Sequence, residues 1–466
     1  MNITYLIGNG FDIKLGLRNR YIDFYKSYVA MPSESDPLVV KTFKAEINDF
    51  IKKELNKEDT EVDWRDLEVA LGKYTSKLSL EVFETLYFDI IEHLKSYLTA
   101  EYEYFDARYI QSEDFLKYLA DPITTFFNND QQRVLYQYVR SFSNEDVINI
   151  INFNYTPTLE HLSGFEGKEL PIGKSVSGRA AKLYSIRHIH QTLFDEDILV
   201  GVNDKSQIEN PEYTKNIDLC ELLIKPSTNK VLGSGVDSEC ESIINNTNLF
   251  VLFGTSAGIT DSKWWWLICN RMMSATASHA RLLYFVYLPD SVPHQGVRYG
   301  RLSRADIRRL VKSAGLDENV YNAILPNIYV SYTPDMFRLS ELQNVLNIPP
   351  EIGHQYTTAK VKVTLLKETM RYVVVRVDAP QKSYGVDMEY GWIKDVFPGY
   401  TAGPQVLLDI EVNEVKIPFD RITISNGANR KDIYFDISSF YGKPAIPGRV
   451  DVDNEILKQI EKLILS

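Results

Sequence analysis

Met1-Asn2-Ile3-Thr4-Tyr5-Leu6-Ile7-Gly8-Asn9-Gly10-Phe11-Asp12 opens the chain. Ile3–Ile7 is a short apolar run that empties into Gly8-Asn9-Gly10. A run of that length closed by glycines reads as a buried strand feeding a tight turn. Comparable runs follow at Val147–Phe153, Ile186–Ile189, Ile198–Val202, Leu249–Phe253 and Leu282–Leu288, each ending near Gly, Asn or Pro. The connections between them are long enough for crossovers, which predicts a Rossmann-like, mostly parallel α/β sheet. From about Pro37 to Phe142 the pattern is helical instead. Val82, Leu86, Ile90, Leu94 and Leu98 recur at four-residue spacing within Leu80–Tyr109, one face of an amphipathic helix. A second helical stretch, Asp114–Phe142, is interrupted at Asp121-Pro122. The sheet is therefore expected to carry a large helical insertion, about residues 37–142, after its first strand.

Beyond Tyr356 the texture changes. Lys360–Lys367 and Tyr372–Asp378 are β-rich, and turn residues recur at Gly385, Pro398-Gly399, Gly403-Pro404, Gly427 and Pro447-Gly448. Asn454–Leu465 closes the chain with a helical pattern. From Gln355 onward 15 basic residues balance 15 acidic ones, so the whole charge deficit lies upstream. This divides the chain into an α/β domain, 1–350, and a small β-rich C-terminal domain, 355–466, whose position suits sensing or assembly.

Composition narrows the function classes. The 466 residues are 44% hydrophobic and 24% charged, ordinary for a globular protein. No stretch approaches the roughly 18 uninterrupted apolar residues of a membrane span. The N-terminus lacks the basic and small-residue features of a secretory signal. Cys220, Cys240 and Cys269 form no CxxC pair, so no disulfide framework is expected and a reducing cytoplasm fits. The net charge of −12 gives no general attraction to nucleic acid or anionic lipid.

Four loops at ends of the expected strands carry candidate chemistry. In Gly8-Asn9-Gly10-Phe11-Asp12, glycines between strand and helix let backbone approach a phosphate; a tight turn with Asp12 as helix N-cap is the alternative. In Asn152-Phe153-Asn154-Tyr155-Thr156, Asn154 sits where open α/β sheets bind ligands, and can hold a ribose hydroxyl or a water, or cap the next helix. In Arg187-His188-Ile189-His190, strand alternation puts both histidines on one face. No third ligand completes a metal site there, so no metal is expected, and a single histidine acting as base or ribose contact is the better reading. Phe253-Gly254-Thr255-Ser256-Ala257-Gly258-Ile259-Thr260-Asp261 is another close-approach loop, and it is not GxSxG, which disfavours a serine hydrolase. Asp63, Asp66 and Glu68 read as a solvated helix start.

GNGFD at 8–12, Trp64-Arg65-Asp66-Leu67-Glu68, NFNYTPTLE at 152–160, HIH at 188–190 and FGTSAGITD at 253–261 resemble, as an ordered series over roughly residues 1–345, the AbiH family of bacterial proteins associated with abortive infection against phage. The series is also similar to the sirtuin-like NAD-binding fold. That likeness implies a site in which Gly8, Asn9, Gly10, Phe11 and Asp12 hold the dinucleotide. Gly254, Thr255 and Ser256 would line its adenine-side ribose, and Asn154 and His190 would be catalytic. It implies an antiviral effector that hydrolyses NAD as substrate, releasing nicotinamide, when triggered. The implied partners are NAD or a related nucleotide, a phage-derived trigger or partner defence protein, and a second copy of the chain, with no membrane and no nucleic acid. A non-catalytic nucleotide switch recruiting an effector, and a nucleic-acid-cleaving toxin, are the alternatives. The chain departs from the sirtuin pattern at Gln191, which follows His190 where a glycine is usual, at Asp12, and in lacking zinc-binding cysteines.

Overall fold

The protein is described from a computed structural model over residues 1–31, 34–56, 66–126, 128–175, 177–274, 280–287, 297–332, 335–356, 359–412, 415–441 and 449–465. It divides into two compact units, Met1–Thr99 with Ser112–Leu339, and Ala100–Gln111 with Ser340–Ser466.

The first unit is built on seven strands: β1 (Asn2–Ile7), β2 (Asp146–Asn152), β3 (Leu170–Lys174), β4 (Ala180–His188), β5 (Leu249–Phe253), β6 (Arg281–Phe285) and β7 (Ile328–Ser331). Their order is β3-β4-β2-β1-β5-β6-β7. Every neighbouring pair is parallel except β3 and β4. The apolar runs are continuous because the central strands are buried on both faces; all five residues of β5 are buried. The expected strand at Ile198–Val202 is instead an extended segment with one bridge, Val202 to Ile224, because β3 already occupies the edge beside β4. The short strands β3 and β7 carried no signal in the sequence.

Helices α1 (Gly10–Lys14), α2 (Tyr21–Ala30), α3 (Leu38–Asn56), α4 (Leu67–Tyr74), α5 (Leu80–Tyr102), α6 (Ser112–Ala120) and α7 (Asn129–Arg140) lie between β1 and β2, so the helical insertion begins at Gly10 rather than near residue 37. On α5, Leu86, Ile90, Leu94 and Leu98 are buried, whereas Val82 is 38% exposed; the apolar stripe starts one turn late. The break at Asp121-Pro122 separates α6 from α7. Proline cannot donate, and the Asp121 carboxylate accepts the Ile123 and Thr124 N–H groups at 3.0 and 3.1 Å. After β2 come α8 (Thr158–Ser163), α9 (Ile217–Leu223), α10 (Lys225–Val231), α11 (Val236–Asn246), α12 (Ser262–Met273), α13 (Val297–Ser313) and α14 (Glu318–Ile324). Trp264 and Trp265 of α12 belong to the core against β5 and β6. None of the helices among the described residues is long and apolar enough to cross a membrane.

The second unit has a six-stranded sheet, β8 (Glu351–Tyr356), β9 (Ala359–Glu368), β10 (Tyr372–Asp378), β11 (Thr401–Val412), β12 (Val415–Ser425) and β13 (Arg430–Asp436), in the order β11-β12-β13-β10-β9-β8. It also has α15 (Lys382–Val396) and α16 (Arg449–Leu465). Alternation along β10 explains its run of valines. Val373, Val375 and Val377 pack with Met388 and Trp392 of α15, while Tyr372 and Val374 pack with Ile456 and Ile460 of α16. Gly385, expected in a turn, lies inside α15, where a Cβ would stand 2.4 Å from the Phe440 ring. The turn expected at Pro447-Gly448 and the strand end at Leu288 lie outside the described residues.

The division between units falls at 339/340 rather than at 350–355. The second unit also takes in Ala100–Gln111, because Arg371 donates twice to the Glu101 carboxylate at 2.9 Å and the Tyr109 hydroxyl donates to Glu368 at 2.7 Å. The same unit buries Glu389 fully, beside Asp420. The Gln405 amide donates to both carboxyls. Burial, and then the Asp420 charge, push the Glu389 carboxyl up to about 9. The folded chain thus holds a proton here that the unfolded chain has released, and stability falls as pH rises from the ordinary glutamate range toward 9. Glu389→Gln should remove up to about 1.4 kcal/mol per pH unit of that decline, read by urea denaturation between pH 5 and 9. An unchanged slope would show that Glu389 is ionised throughout.

Candidate active site

The register of the first sheet aligns Ile7 with Asn152 and with Phe253, and Asn152 with His188. Four candidate loops therefore leave the carboxyl ends of β1, β2, β4 and β5 from one row. Backbone hydrogen bonds carry the alignment one residue further: Phe153 N–H donates to Ile7 O at 2.9 Å and Ile189 N–H to Asn152 O at 3.1 Å. Chain order reverses between β1 and β5, the position where open α/β sheets form a ligand crevice.

At that crevice the two glycine loops touch each other. A Cβ on Gly10 would stand 2.6 Å from Gly254 Cα, and one on Gly8 would stand 2.7 Å from Gly254 O. Gly254 itself has φ +70°, open to glycine without strain. Gly8 N–H donates to Phe253 O at 2.9 Å, Gly10 N–H to Gly254 O at 2.7 Å and Phe11 N–H to Gly8 O at 3.0 Å. The close approach that the glycines permit is thus between loop and loop, and these three amides are spent inside the protein rather than held free for a phosphate. Phe11 turns into the apolar interior against Phe115 and Phe337, ring centroids 5.7 and 5.2 Å away, and does not line the crevice.

The crevice is a cavity of about 560 Å³. Its walls include Gly8, Asn9, Gly10, Asp12, Asn154, His190, Gly254, Thr255 and Ser256 of the sequence-derived set, joined by Asn19, Arg20, Asp66, Glu68, Lys73, Thr156 and Asp261. Asp12 does not cap α1. Its fully buried carboxylate accepts from Thr156, from Thr158 at 2.8 Å and from Asn19 at 2.8 Å. Burial raises it to about 6, with those three donors opposing the rise. Asn154 does not cap α8 either. It is 4% exposed, and among the described residues neither its Nδ2 nor its Oδ1 has a hydrogen-bond partner.

The two histidines do not share a strand face, because β4 ends at His188 and His190 lies in the turn beyond. His188 bonds Asn154 O at 2.9 Å and Glu160 at 2.8 Å, bracing the loop that carries Asn154. His190 faces Phe153 O at 3.2 Å through Nδ1 and Asp261 Oδ1 at 3.1 Å through Nε2. Gln191 takes φ +62°, a left-handed conformation that costs a residue with a side chain about 1–2 kcal/mol.

Behind His190, Lys225 bonds Asp261 at 2.8 Å and Glu68 at 2.9 Å. Burial works to discharge this lysine, but the two carboxylates outweigh it and hold the amine up to about 12. Burial likewise works to raise Asp261, yet Lys225 and His190 hold it well below the usual carboxylate range. Asp66 caps α4 by accepting Val69 N–H at 3.2 Å, and its other oxygen takes no hydrogen bond among the described residues. Burial, and then repulsion from Glu68, raise Asp66 to about 6.

Residues 4–281 match the family described as bacteriophage abortive infection AbiH. The chain belongs to this AbiH family. Its role is therefore in abortive infection against phage. No curated protein and no solved structure matches it. Of the AbiH-like stretches, Trp64 and Arg65 lie outside the described residues, as does the neighbouring Asp63, while Asp66 and Glu68 prove to be cavity groups rather than a solvated helix start, and Asp261 joins them. Their presence in the quoted motifs was the available signal; Arg20, Lys73 and Lys225 had none.

Gly10→Ala should therefore push the two glycine loops apart and destabilise the fold by about 2–4 kcal/mol. Gly391→Ala, at an open helical position with nothing within 4 Å of a Cβ, should be neutral or stabilising. Chemical denaturation of both variants checks the contrast; equal effects would show that the loop contact tolerates a side chain.

Proposed function

We propose that this AbiH protein hydrolyses the nicotinamide–ribose bond of NAD or a closely related nucleotide in the cavity at the β1–β5 crevice, once triggered by infection. The observation that carries this reading is Asn154. A buried amide without a partner costs about 1–3 kcal/mol, and such groups in native structures call for an explanation. An amide at a cavity wall suits a ribose hydroxyl through Nδ2 and a water through Oδ1.

The charges suit the same chemistry. In NAD the pyridinium nitrogen already bears the positive charge, so the C1′–N bond breaks with its electron pair passing to that nitrogen, and nicotinamide leaves neutral without an acid. Positive charge develops on the ribose, opposite Asp66, Glu68 and Asp261 in the cavity wall. Water oxygen then bonds C1′ and its proton must go to a base. His190 was the base expected from sequence, but both its ring nitrogens already face oxygens, so we give it a holding role beside Asn154. Asp66, whose second oxygen accepts no hydrogen bond among the described residues, takes the proton.

Nicotinamide release from NAD in the presence of a phage trigger tests the proposal. Asn154→Ala should lower kcat at least about a hundredfold, and Asp66→Asn by about two to four orders of magnitude. The base must be ionised, so wild-type kcat/KM should rise as pH increases through about 6 and level off above it, and Asp66→Asn should lose that limb. A wild type that stays silent, or one matched by Asn154→Ala, would overturn the hydrolase reading.

A further inference from the structure

The glycine loop offers few amides to an anion, since those of Gly8, Gly10 and Phe11 donate within the protein. The nearby side-chain charge is negative: Asp12, Asp66, Glu68 and Asp261 line the cavity. His190 is held by Asp261, and Lys225 is committed to Asp261 and Glu68. Two further cations line the cavity, Arg20 and Lys73, both exposed. Neither has an ion-pair or side-chain hydrogen-bond partner among the described residues, although acidic residues outnumber basic ones in the chain.

Arg20 is not on a loose segment. The Tyr97 hydroxyl donates to Arg18 O at 2.7 Å, the Asn9 amide donates to Asn19 O at 2.5 Å, and the Asn19 amide donates to Asp12 at 2.8 Å. Three side chains thus fix the backbone that presents the guanidinium. Lys73 comes from the last turn of α4, the helix that Asp66 caps, so one short rigid element carries both a carboxyl and an ammonium to the same cavity.

We infer that Arg20 and Lys73 form the phosphate-reading side of the cavity, which makes its substrate class a phosphorylated nucleotide rather than a free nucleoside. This rests on the hydrolase reading for the reaction but not for the binding. Guanidinium and ammonium donors bond phosphate oxygens with charge-assisted hydrogen bonds. They place negative phosphate beside cations that no described residue pairs, and leave the uncharged sugar for Asn154 and the carboxylates.

Two measurements on the full-length protein test this. Calorimetry compares ADP-ribose with adenosine, and kinetics compares NAD with nicotinamide riboside, which lacks the phosphates. Wild type should bind ADP-ribose at least ten times more tightly than adenosine. R20A/K73A should weaken ADP-ribose binding about ten- to a hundredfold, raise KM for NAD more than it lowers kcat, and collapse the preference for NAD over the riboside, with an unchanged melting temperature. R20K/K73R should restore part of the preference. The inference is overturned if wild type does not bind ADP-ribose, or if R20A/K73A binds it as wild type does. It is also overturned if ADP-ribose and adenosine weaken equally. A wild type that binds ADP-ribose through these residues yet releases no nicotinamide would remove the hydrolase reading and leave the phosphate site standing.

Discussion

Two backbones meet where β1 and β5 end, and they meet closely enough that only hydrogen atoms fit between them. Gly8 and Gly10 lie against Gly254 at distances no Cβ could share, and two N–H···O bonds lock the contact. The rest of the site is arranged around this seam. Asp12, one turn beyond it, is the anchor for Thr156, Thr158 and Asn19, so the β2 loop and the loop before α2 are both referred to the same carboxylate. Opening the seam by the width of a methyl group would shift every one of these partners.

The electrostatics follow a similar economy. Four carboxylates around one cavity would repel each other strongly in a low-dielectric setting. The protein manages this unevenly. Glu68 and Asp261 share the buried Lys225, and Asp261 is held ionised by it. Among the described residues Asp12 and Asp66 form no ion pair, and burial pushes each toward the neutral form, to about 6. One cavity therefore contains carboxyls of two kinds, one fixed in charge and one able to exchange a proton near neutrality. Separating titratable groups in this way is how a single pocket can both stabilise positive charge and accept a proton.

Much of this was visible in the residues before any coordinates. A short, largely apolar run ending near Gly or Asn signals a doubly buried strand, because burial on both faces erases alternation, and β1, β2 and β5 announced themselves that way. The helical insertion followed from the four-residue periodicity within Leu80–Tyr109, and a closing helix was expected over Asn454–Leu465. The ordered motif series led to AbiH. Short strands with mixed exposure, such as β3, left no comparable mark, since Pro171 and Gly173 dilute a five-residue pattern.

Strand identity, helical periodicity and the family series are local properties, written in the spacing of side chains along the chain. What the glycines approach is not local: spacing says that a backbone comes close, but not whether a phosphate or another loop fills the gap, and here it is another loop. The same holds for charge. Asp66 and Glu68 look like an ordinary hydrated helix start, and Lys225 lies 157 residues from the glutamate it neutralises. Only folding withdraws these groups from water, and it is that withdrawal, absent from any linear pattern, that sets which carboxyl stays charged and which can take a proton.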